Sequence, residues 1–451
     1  MHATRLWALW QAILLSLAGG FTQQGKKRFV EWVTGLALNV EEHTITQSLI
    51  ALGRPQDWKA LESFAEYGSW HLRGLQWSLV RRIAQLPNRL WYGYNVYTGD
   101  DTKVHRNSKD VWGTCTFHNY SARCPNRAST VRAHNWLVTG ALLPMPDQPA
   151  VFLPVAGQLY FRQSQLPQPQ KGPPIAFRTK CQLLVEQLRQ HAKDCQAKTL
   201  GVFDGAFAVG SVVRPLVKPD EADLPRIAIL TRLRLDARLY ALPPGEPRKG
   251  KGGPLPKWGK KLAPPRQGGR WPGQWQSGKA FIYGRVREVR YKEVLCLWRV
   301  LGHDVPVKAV VAEVQGYKKR FTLVSSATDL TGLQIVEIFC ARFRQEDAFR
   351  DLKQRLGWQE CRAWTRLPIE RTTQALFVTL GLLRRLQWGL EESAGDSWWL
   401  HPPWNPRKVR PSVLDVERLL RQHRGGIQQL LSDWLGKGED AAEGTVAARA
   451  M

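Results

Sequence analysis

The first ninety residues place apolar side chains at helical spacing. Three segments carry this spacing: KKRFVEWVTGLAL, TITQSLIAL and WSLVRRIAQL. Thr44 precedes the second segment and is expected to cap its helix. Near the start, LWALWQAILLSLAGG resembles a secretory signal, but Gln11 interrupts it, and we expect an amphipathic helix ending at Gly19–Gly20. The pattern predicts a helical domain over 1–90, in which the short polar turn NVEEHT is typical of either a helix-turn-helix or plain packing.

Beyond Pro87 the pattern changes to short apolar runs that predict strands. The runs are YGYNVYTG, which leads into Asp100 and Asp101, then NWLVTGALL, AVFLPVAGQLYF, KTLGVF and RIAILTRL. A predicted helix over 176–194 separates the third run from the fourth. This order of strands and helices predicts a mixed α/β sheet.

Residues 241–278 combine eight Lys and Arg residues with many Gly and Pro residues and with Trp258, Trp271 and Trp275. We expect this segment to bury no core and to stay mobile without a partner. Alternating strands follow over 279–325. Further predicted helices cover 332–356, 367–392 and 412–436.

The charge balance indicates a polyanionic partner. Lys and Arg number 65 against 38 Asp and Glu, which gives a formal net charge of +27. A chain with 43% hydrophobic residues and 20 Trp residues nevertheless folds. Nucleic acid is the first expected partner and an anionic membrane surface the second. Seven cysteines without a CxxC motif favour a reducing compartment, so we expect a cytoplasmic protein.

Three acids stand in positions that a fold can gather. Asp100 and Asp204 each follow an apolar run, and the ends of such strands form sites in α/β sheets. Glu346 lies in the predicted helix over 332–356. Clustered carboxylates suit Mg²⁺, and two ions about 4 Å apart promote phosphodiester cleavage. Taken singly, each acid is more often a turn residue, a helix cap or a solvated side chain.

Helical geometry strengthens the case for Glu346. At about 100° per residue, Arg342, Glu346 and Lys353 fall within an arc of roughly 40°, and Phe339 lies within about 60°. Phe349 shares this face, so we expect the face to be partly covered. A face with apolar groups and three charges predicts the wall of a site, although an i,i+4 ion pair on a solvated helix has the same spacing.

These residues also carry a family resemblance. The spacing Phe339-x2-Arg342-x3-Glu346-x6-Lys353 resembles the Tyr-x2-Arg-x3-Glu-x6-Lys signature of DDE transposases from bacterial insertion sequences. The motifs GDDT at 99–102, VFDGAF and VRAHNWLV resemble, in the same order, the first-Asp motif, the second-Asp motif and a strand of one branch. The resemblance covers roughly residues 25–392.

The resemblance implies an RNase H-like mixed sheet interrupted by an insertion. The first part of the catalytic core would cover 91–235, and the catalytic helix and the completion of the core would cover 326–395. A β-rich basic insertion would occupy 236–325 between them. A helical DNA-binding domain at 1–90 and a helical C-terminal region at 396–451 would flank this core.

The resemblance further implies cut-and-paste transposition. Asp100, Asp204 and Glu346 would hold two Mg²⁺ ions, with Mn²⁺ as a substitute, while element ends are cleaved and the 3′-OH is transferred into target DNA. Expected partners are element ends and target DNA, with a homodimer in the DNA complex and a nucleoid-associated location. Neither a membrane nor a small-molecule cofactor is expected.

The resemblance also assigns DNA contacts. Arg342 and Lys353 would hold phosphates near the cut end, and the other DNA-binding candidates are Phe339, Arg350, Trp271, Trp275 and Trp298. One of these Trp residues would stack on an extruded base if the reaction passes through a hairpin.

Two residues depart from a simple match to the family. Phe339 replaces the family's Tyr and so lacks the hydroxyl that would bond a phosphate. Asp101 neighbours Asp100, and in a strand the two side chains point to opposite faces, so only one faces the metals. The D-x-T spacing favours Asp100. Two alternative functions remain: a catalytically degenerate protein that binds element ends, and another RNase H-like DNA nuclease such as a junction resolvase.

Overall fold

The computed structural model describes residues 3–119, 129–145, 148–168, 174–244, 255–393 and 397–436. In these ranges the α-helices are α1 (Ala3–Leu17), α2 (Gln23–Leu38), α3 (Ile45–Ala51), α4 (Trp58–Tyr67), α5 (Leu72–Ile83), α6 (Lys180–Cys195), α7 (Gly210–Val217), α8 (Gly332–Ala341), α9 (Arg344–Gln354), α10 (Arg366–Ser393), α11 (Val413–Gln422) and α12 (Arg424–Gly436). The strands are β1 (Asn95–His105), β2 (Cys115–His118), β3 (Thr130–Leu143), β4 (Val151–Tyr160), β5 (Thr199–Phe203), β6 (Ala228–Arg232), β7 (Leu239–Tyr240), β8 (Gln276–Ile282), β9 (Arg285–Trp298), β10 (Pro306–Val314) and β11 (Phe321–Ser325).

All of these strands belong to one mixed sheet. Its order is β2-β3-β1-β5-β6-β11-β10-β9-β7, with β4 paired to β3 and β8 paired to β9. Strands β1, β5 and β6 run parallel to one another, whereas β3 is antiparallel to both β1 and β4. The predicted mixed α/β class is confirmed. The strands after β6 continue the same sheet through the antiparallel pair of β6 and β11.

Helices cover strand β1 from both sides. On one face, α6 lies so close that a Cβ added to Gly99 would meet the Leu184 side chain at 2.4 Å. On the other face, the Gln345 amide of α9 donates to the carbonyl of Val138 on β3 at 2.9 Å. The absence of a side chain at Gly99 therefore permits the close approach of α6, and polar contacts fix α9.

The N-terminal helices pack with those of the C-terminal region. The indole of Trp10 on α1 donates to Thr34 of α2 at 2.9 Å, and α1 also contacts α12. Helix α2 contacts α10 and α11, and the whole group shares one apolar core with the sheet. The predicted first helix is confirmed, and so is the Thr44 cap, which accepts from Gln47. Among the described residues, no helix combines the length and apolar character needed to cross a bilayer.

Three predicted elements were wrong in their bounds. The single helix over 332–356 is two helices, α8 and α9, that meet at a turn. The predicted C-terminal helix over 412–436 likewise divides, at His423 between α11 and α12. Asp100 does not end its strand, because pairing of β1 with β3 satisfies the backbone as far as His105.

The basic segment over 241–278 was also predicted incorrectly where the structure describes it. Residues 255–278 contain Trp271, which is only 2% exposed and donates its indole N–H to the carbonyl of Ala263 at 2.8 Å. Residues 245–254 lie outside the described residues. The described part therefore contributes to a core, although it is rich in Gly and Pro. Its Trp271 indole can be buried because the N–H is hydrogen-bonded.

Candidate active site

Alternate residues of β1 present three side chains to α9 and the turn before it. The contacts on this face are Thr98 Oγ1 to Gln345 Oε1 at 2.9 Å, Asp100 Oδ2 to an Arg342 guanidinium nitrogen at 3.3 Å, and Thr102 Oγ1 to Lys353 Nζ at 2.7 Å. The period of two along a strand explains why these residues share a face. Asp100 therefore lies beside the basic helix that also carries Glu346.

Gln345 fixes the beginning of α9 on the sheet. Its side chain is fully buried, accepts from the Thr98 hydroxyl and donates to the Val138 carbonyl. Breaking either bond would leave a buried polar group unsatisfied. The next residue, Glu346, is thereby held on the Asp100 side of β1. Sequence analysis missed Gln345, and its only signal was a polar residue next to a candidate ligand.

Arg342 connects two of the three acids. It caps α8 at the turn before α9, and its guanidinium reaches Asp100 at 3.3 Å and Glu346 at 3.9 Å. Its side chain is only 12% exposed, whereas that of Glu346 is 48% exposed. The same guanidinium lies 5.7 Å from the centre of the Phe339 ring. The predicted i,i+4 pair is present, but it spans a turn and does not lie along one helix.

Asp204 completes the acidic group. It follows β5, and Phe203 pairs with Gly99 on parallel β1, so Asp204 and Asp100 occupy neighbouring positions on adjacent strands. Burial raises the pKa of Asp100 to about 6, against the lowering effect of Arg342, and the charges of Asp101 and Asp204 raise it further. The pKa of Glu346 is raised by burial first, lowered by Arg342, and raised by neighbouring acids that include Asp204. The charge of Asp204 thus acts on both other acids.

The three carboxylates are chemically suited to a hard divalent cation, but their arrangement in this structure does not surround one. Carboxylate oxygens are the ligands that Mg²⁺ prefers. Nevertheless, within the described ranges no group of three or more His, Cys, Asp or Glu side chains is placed so that it could hold a metal ion. The positive charge nearest to Asp100 and Glu346 is the Arg342 guanidinium.

Asp101 faces the opposite side of the sheet. Its carboxylate pairs with Lys180 of α6 at 2.6 Å, and that Lys lies over the Tyr160 ring. Its backbone N–H donates to Asp100 at 2.8 Å. Of the two neighbouring acids, Asp100 is the one on the same side as Glu346.

The two cations of α9 that were predicted to contact DNA differ in exposure. Lys353 is partly buried over β1, and burial lowers its pKa to about 8. Arg350 is exposed and pairs with Asp347 at 3.1 Å. Lys353 points along the same face of β1 as Asp100, whereas Arg350 belongs to a surface ion pair. Phe339 is buried on α8.

The three Trp candidates do not form one surface. Trp271 and Trp298 are buried, with exposed fractions of 2% and 1%. Trp275 is half-buried and lies near three cations, Arg290 at 4.6 Å, Lys292 at 5.5 Å and Arg320 at 5.8 Å from its ring centre. Among these three, only Trp275 offers a partly accessible ring.

A cavity of about 730 Å³ adjoins the α8–α9 turn. Half-exposed Tyr92 and Phe343 line it together with Tyr283, Lys279 and Arg344. The Tyr92 hydroxyl donates to Glu337 of α8 at 2.5 Å. Sequence analysis did not assign these aromatic residues to a site, because they lie in separate segments without a shared spacing.

Comparison of the chain with protein-family models and with curated proteins finds no match. The functional assignment of this site therefore depends on its residues and on their arrangement.

Proposed function

We propose that this chain is a DDE-type DNA transposase, which cleaves phosphodiester bonds at element ends and transfers the 3′-OH into target DNA. One observation carries the proposal. Asp100, Asp204 and Glu346 are far apart in the sequence, but the pairing of Phe203 with Gly99 brings Asp204 next to Asp100, and Arg342 contacts both Asp100 and Glu346. Lys353 lies on the same face.

The strand arrangement supports an RNase H-like core. The order β4-β3-β1-β5-β6, with β1, β5 and β6 parallel and β3 antiparallel to its neighbours, is compatible with such a fold. Asp100 lies on the central strand of these five, Asp204 follows the adjacent parallel strand, and Glu346 lies on α9, which packs on β1 and β4. In this proposal the strands β7–β11 belong to an insertion over 236–325, between the second Asp and the Glu.

The residues have distinct roles in the proposed reaction. Asp100, Asp204 and Glu346 would hold Mg²⁺, with Mn²⁺ as a substitute. When bound, two such ions supply activation of the attacking oxygen and charge stabilisation at the leaving oxygen. Lys353 donates to a phosphate oxygen of the DNA end, and an adjacent phosphate favours its charged form despite the partial burial. Thr102 orients the Lys353 ammonium.

DNA binding follows from charge and from Trp275. A formal net charge of +27 favours the phosphate backbone. The Trp275 ring, surrounded by three cations, suits stacking on a base next to contacted phosphates. Pairing of two DNA ends in a homodimer, a nucleoid-associated cytoplasmic location and independence from small-molecule cofactors belong to the same proposal.

The test is a cleavage and joining assay with the DNA that flanks the coding region. Labelled duplexes from both flanks are incubated with protein, Mg²⁺ and a supercoiled target. We expect nicking at the ends and labelled joined products, both lost in Glu346→Gln while DNA binding is kept. Glu221→Gln, at an exposed position after α7, is the control and should behave like the wild type. Cleavage without joined products would instead identify a nuclease such as a junction resolvase.

A second candidate is a degenerate protein that binds element ends without cutting them. The observation in its favour is that the Arg342 guanidinium already pairs with Asp100 and Glu346, two of the three proposed metal ligands. The same assay separates the two. Tight binding to the flanking duplexes with no cleavage under Mg²⁺ or Mn²⁺ would establish the degenerate protein.

A further inference from the structure

The Arg342 guanidinium takes the place of a counterion between two proposed metal ligands. It is 3.3 Å from Asp100 and 3.9 Å from Glu346, and the third acid, Asp204, follows β5 at the position next to Asp100. Carboxylates that repel one another need positive charge nearby. In this structure the Arg342 side chain supplies that positive charge.

We propose that Arg342 acts as a latch, which blocks metal binding in the DNA-free protein and is drawn off the acids by a phosphate of the bound DNA. The inference rests on the proposed function and deepens it, because it makes metal loading depend on the DNA substrate. A transposase without DNA would then hold its divalent ions weakly. It would bind them tightly only when a DNA end is in place.

In the proposed exchange, each group that loses a contact gains another one. A guanidinium contacts carboxylates at hydrogen-bond distances, whereas Mg²⁺ requires oxygen ligands at about 2.1 Å, so the two cannot occupy the same position. A DNA phosphate offers the guanidinium a planar, two-point contact in exchange for the one it leaves. Because binding couplings are reciprocal, metal should also tighten DNA binding by the same factor.

The local structure allows Arg342 to move. It lies at the turn between α8 and α9, and a rotation of its side chain breaks none of the backbone hydrogen bonds there. Its buried Nε has no hydrogen-bond partner within the described residues. Both of its ion-pair contacts are longer than the 2.6 Å that joins Lys180 to Asp101 on the other face of β1. These contacts position the Arg342 side chain but do not prevent it from moving.

The strongest competing explanation is a permanent salt bridge that only stabilises the fold. A neighbouring arginine supplies the matched control. Arg344 lies two residues away and pairs with Asp347 at 2.7 Å, not with the three acids. Removing either arginine changes the net charge equally, but only one removal frees Asp100 and Glu346.

The first measurement is Mn²⁺ binding to the DNA-free protein by titration calorimetry. We expect Arg342→Ala to bind Mn²⁺ more tightly than the wild type, by a factor of about 5 to 150, the usual range of couplings between sites. Arg344→Ala should match the wild type. The double variant Arg342→Ala/Asp100→Asn should lose the gain. Arg342→Gln, which keeps most of the side chain without its charge, replaces Arg342→Ala if thermal unfolding shows that the latter is not folded.

The second measurement repeats the titration with a duplex from the DNA that flanks the coding region. The wild-type affinity for Mn²⁺ should rise with DNA, and that of the Arg342 variant should not rise further. If the wild type binds Mn²⁺ equally well with and without DNA, and Arg342→Ala changes nothing, the latch is overturned while the metal site stands. If neither protein binds Mn²⁺ in any condition, the proposed function fails, and the latch with it.

Discussion

Both faces of strand β1 carry an acidic side chain beside a cation, but the two acids differ in how closely they are paired. On the α6 face, Asp101 is closed by a 2.6 Å ion pair to Lys180, and Tyr97 stacks on His191 at 4.9 Å between ring centres. On the α9 face, Asp100 has only a 3.3 Å contact to a cation, and the nearby Glu346 stays half-exposed. The satisfied face stabilises the fold. The incompletely paired face is the one suited to chemistry.

A matched pair of glutamines makes the comparison sharper. Gln345 joins α9 to β1 and β3, and Gln187 of α6 accepts from Thr139 of β3 at 2.5 Å and donates to Gln158 of β4 at 3.1 Å. Both side chains are buried. They perform the same structural task on opposite faces, but only Gln345 adjoins a proposed metal ligand.

The largest expected effect separates the two neighbouring acids. Asp100→Asn should lower the rate of DNA nicking on the order of 10³-fold, because it removes charge that contacts the reacting centre. Asp101→Asn should lower it by less than about tenfold, since its carboxylate pairs with Lys180 on the far face. Single-turnover nicking of a labelled flanking duplex measures both. Equal losses in the two variants would contradict the assignment of the faces.

The next effect compares the two lysines that bracket β1. Lys353→Met should weaken cleavage by about 10- to 100-fold, the usual cost of a lost charged hydrogen bond. It should also flatten the salt dependence of binding to the flanking duplex by about one phosphate contact. Lys180→Met should leave the salt dependence unchanged. A parallel change in both lysine variants would show that Lys353 contacts no phosphate.

The glutamine pair should give a smaller and more selective effect. Gln345→Ala and Gln187→Ala should each lower the free energy of unfolding by about 1–3 kcal/mol, because each leaves buried partners unsatisfied. Only Gln345→Ala should also reduce kcat for cleavage, by roughly tenfold, as Glu346 loses its position. Urea unfolding and nicking kinetics on the same preparations separate the two roles. A Gln187 variant with the same kinetic defect would make Gln345 an ordinary packing residue.

The smallest effect is a pH dependence on the α6 face. Burial, with a contribution from the Arg73 charge, lowers the pKa of His191 to about 3, and the ring nitrogen lies 2.7 Å from Thr139. The unfolded chain takes up this proton near pH 6.5, so the stability from neutral His191 is complete above that pH and is lost as the pH falls towards 3. Between pH 7.5 and 5.5 the loss should be about 1.4 kcal/mol.

His191→Gln should remove that part of the pH slope. Urea unfolding of the wild type and the variant at the two pH values measures the difference. An unchanged slope would show that His191 titrates normally in the fold.

Local patterns determined much of this molecule. The class of the sheet, the first helix, the Thr44 cap and the placement of Asp204 after its strand follow from apolar spacing and from capping chemistry. The alternation of side chains along a strand also predicted that Asp100 and Asp101 would face opposite sides, as they do. These features need only neighbouring residues, so the sequence contains them directly.

Packing between distant segments decided the rest. The turn before α9 broke the predicted helix and placed Arg342 against Asp100, and the buried amide of Gln345 set where α9 begins. Trp271 and Trp298 are buried although a basic, glycine-rich context predicted an exposed surface for the first of them. The sequence alone specified which acids and cations are available. Only the tertiary structure determined that a guanidinium stands between two of the acids, because that contact joins residues 242 positions apart.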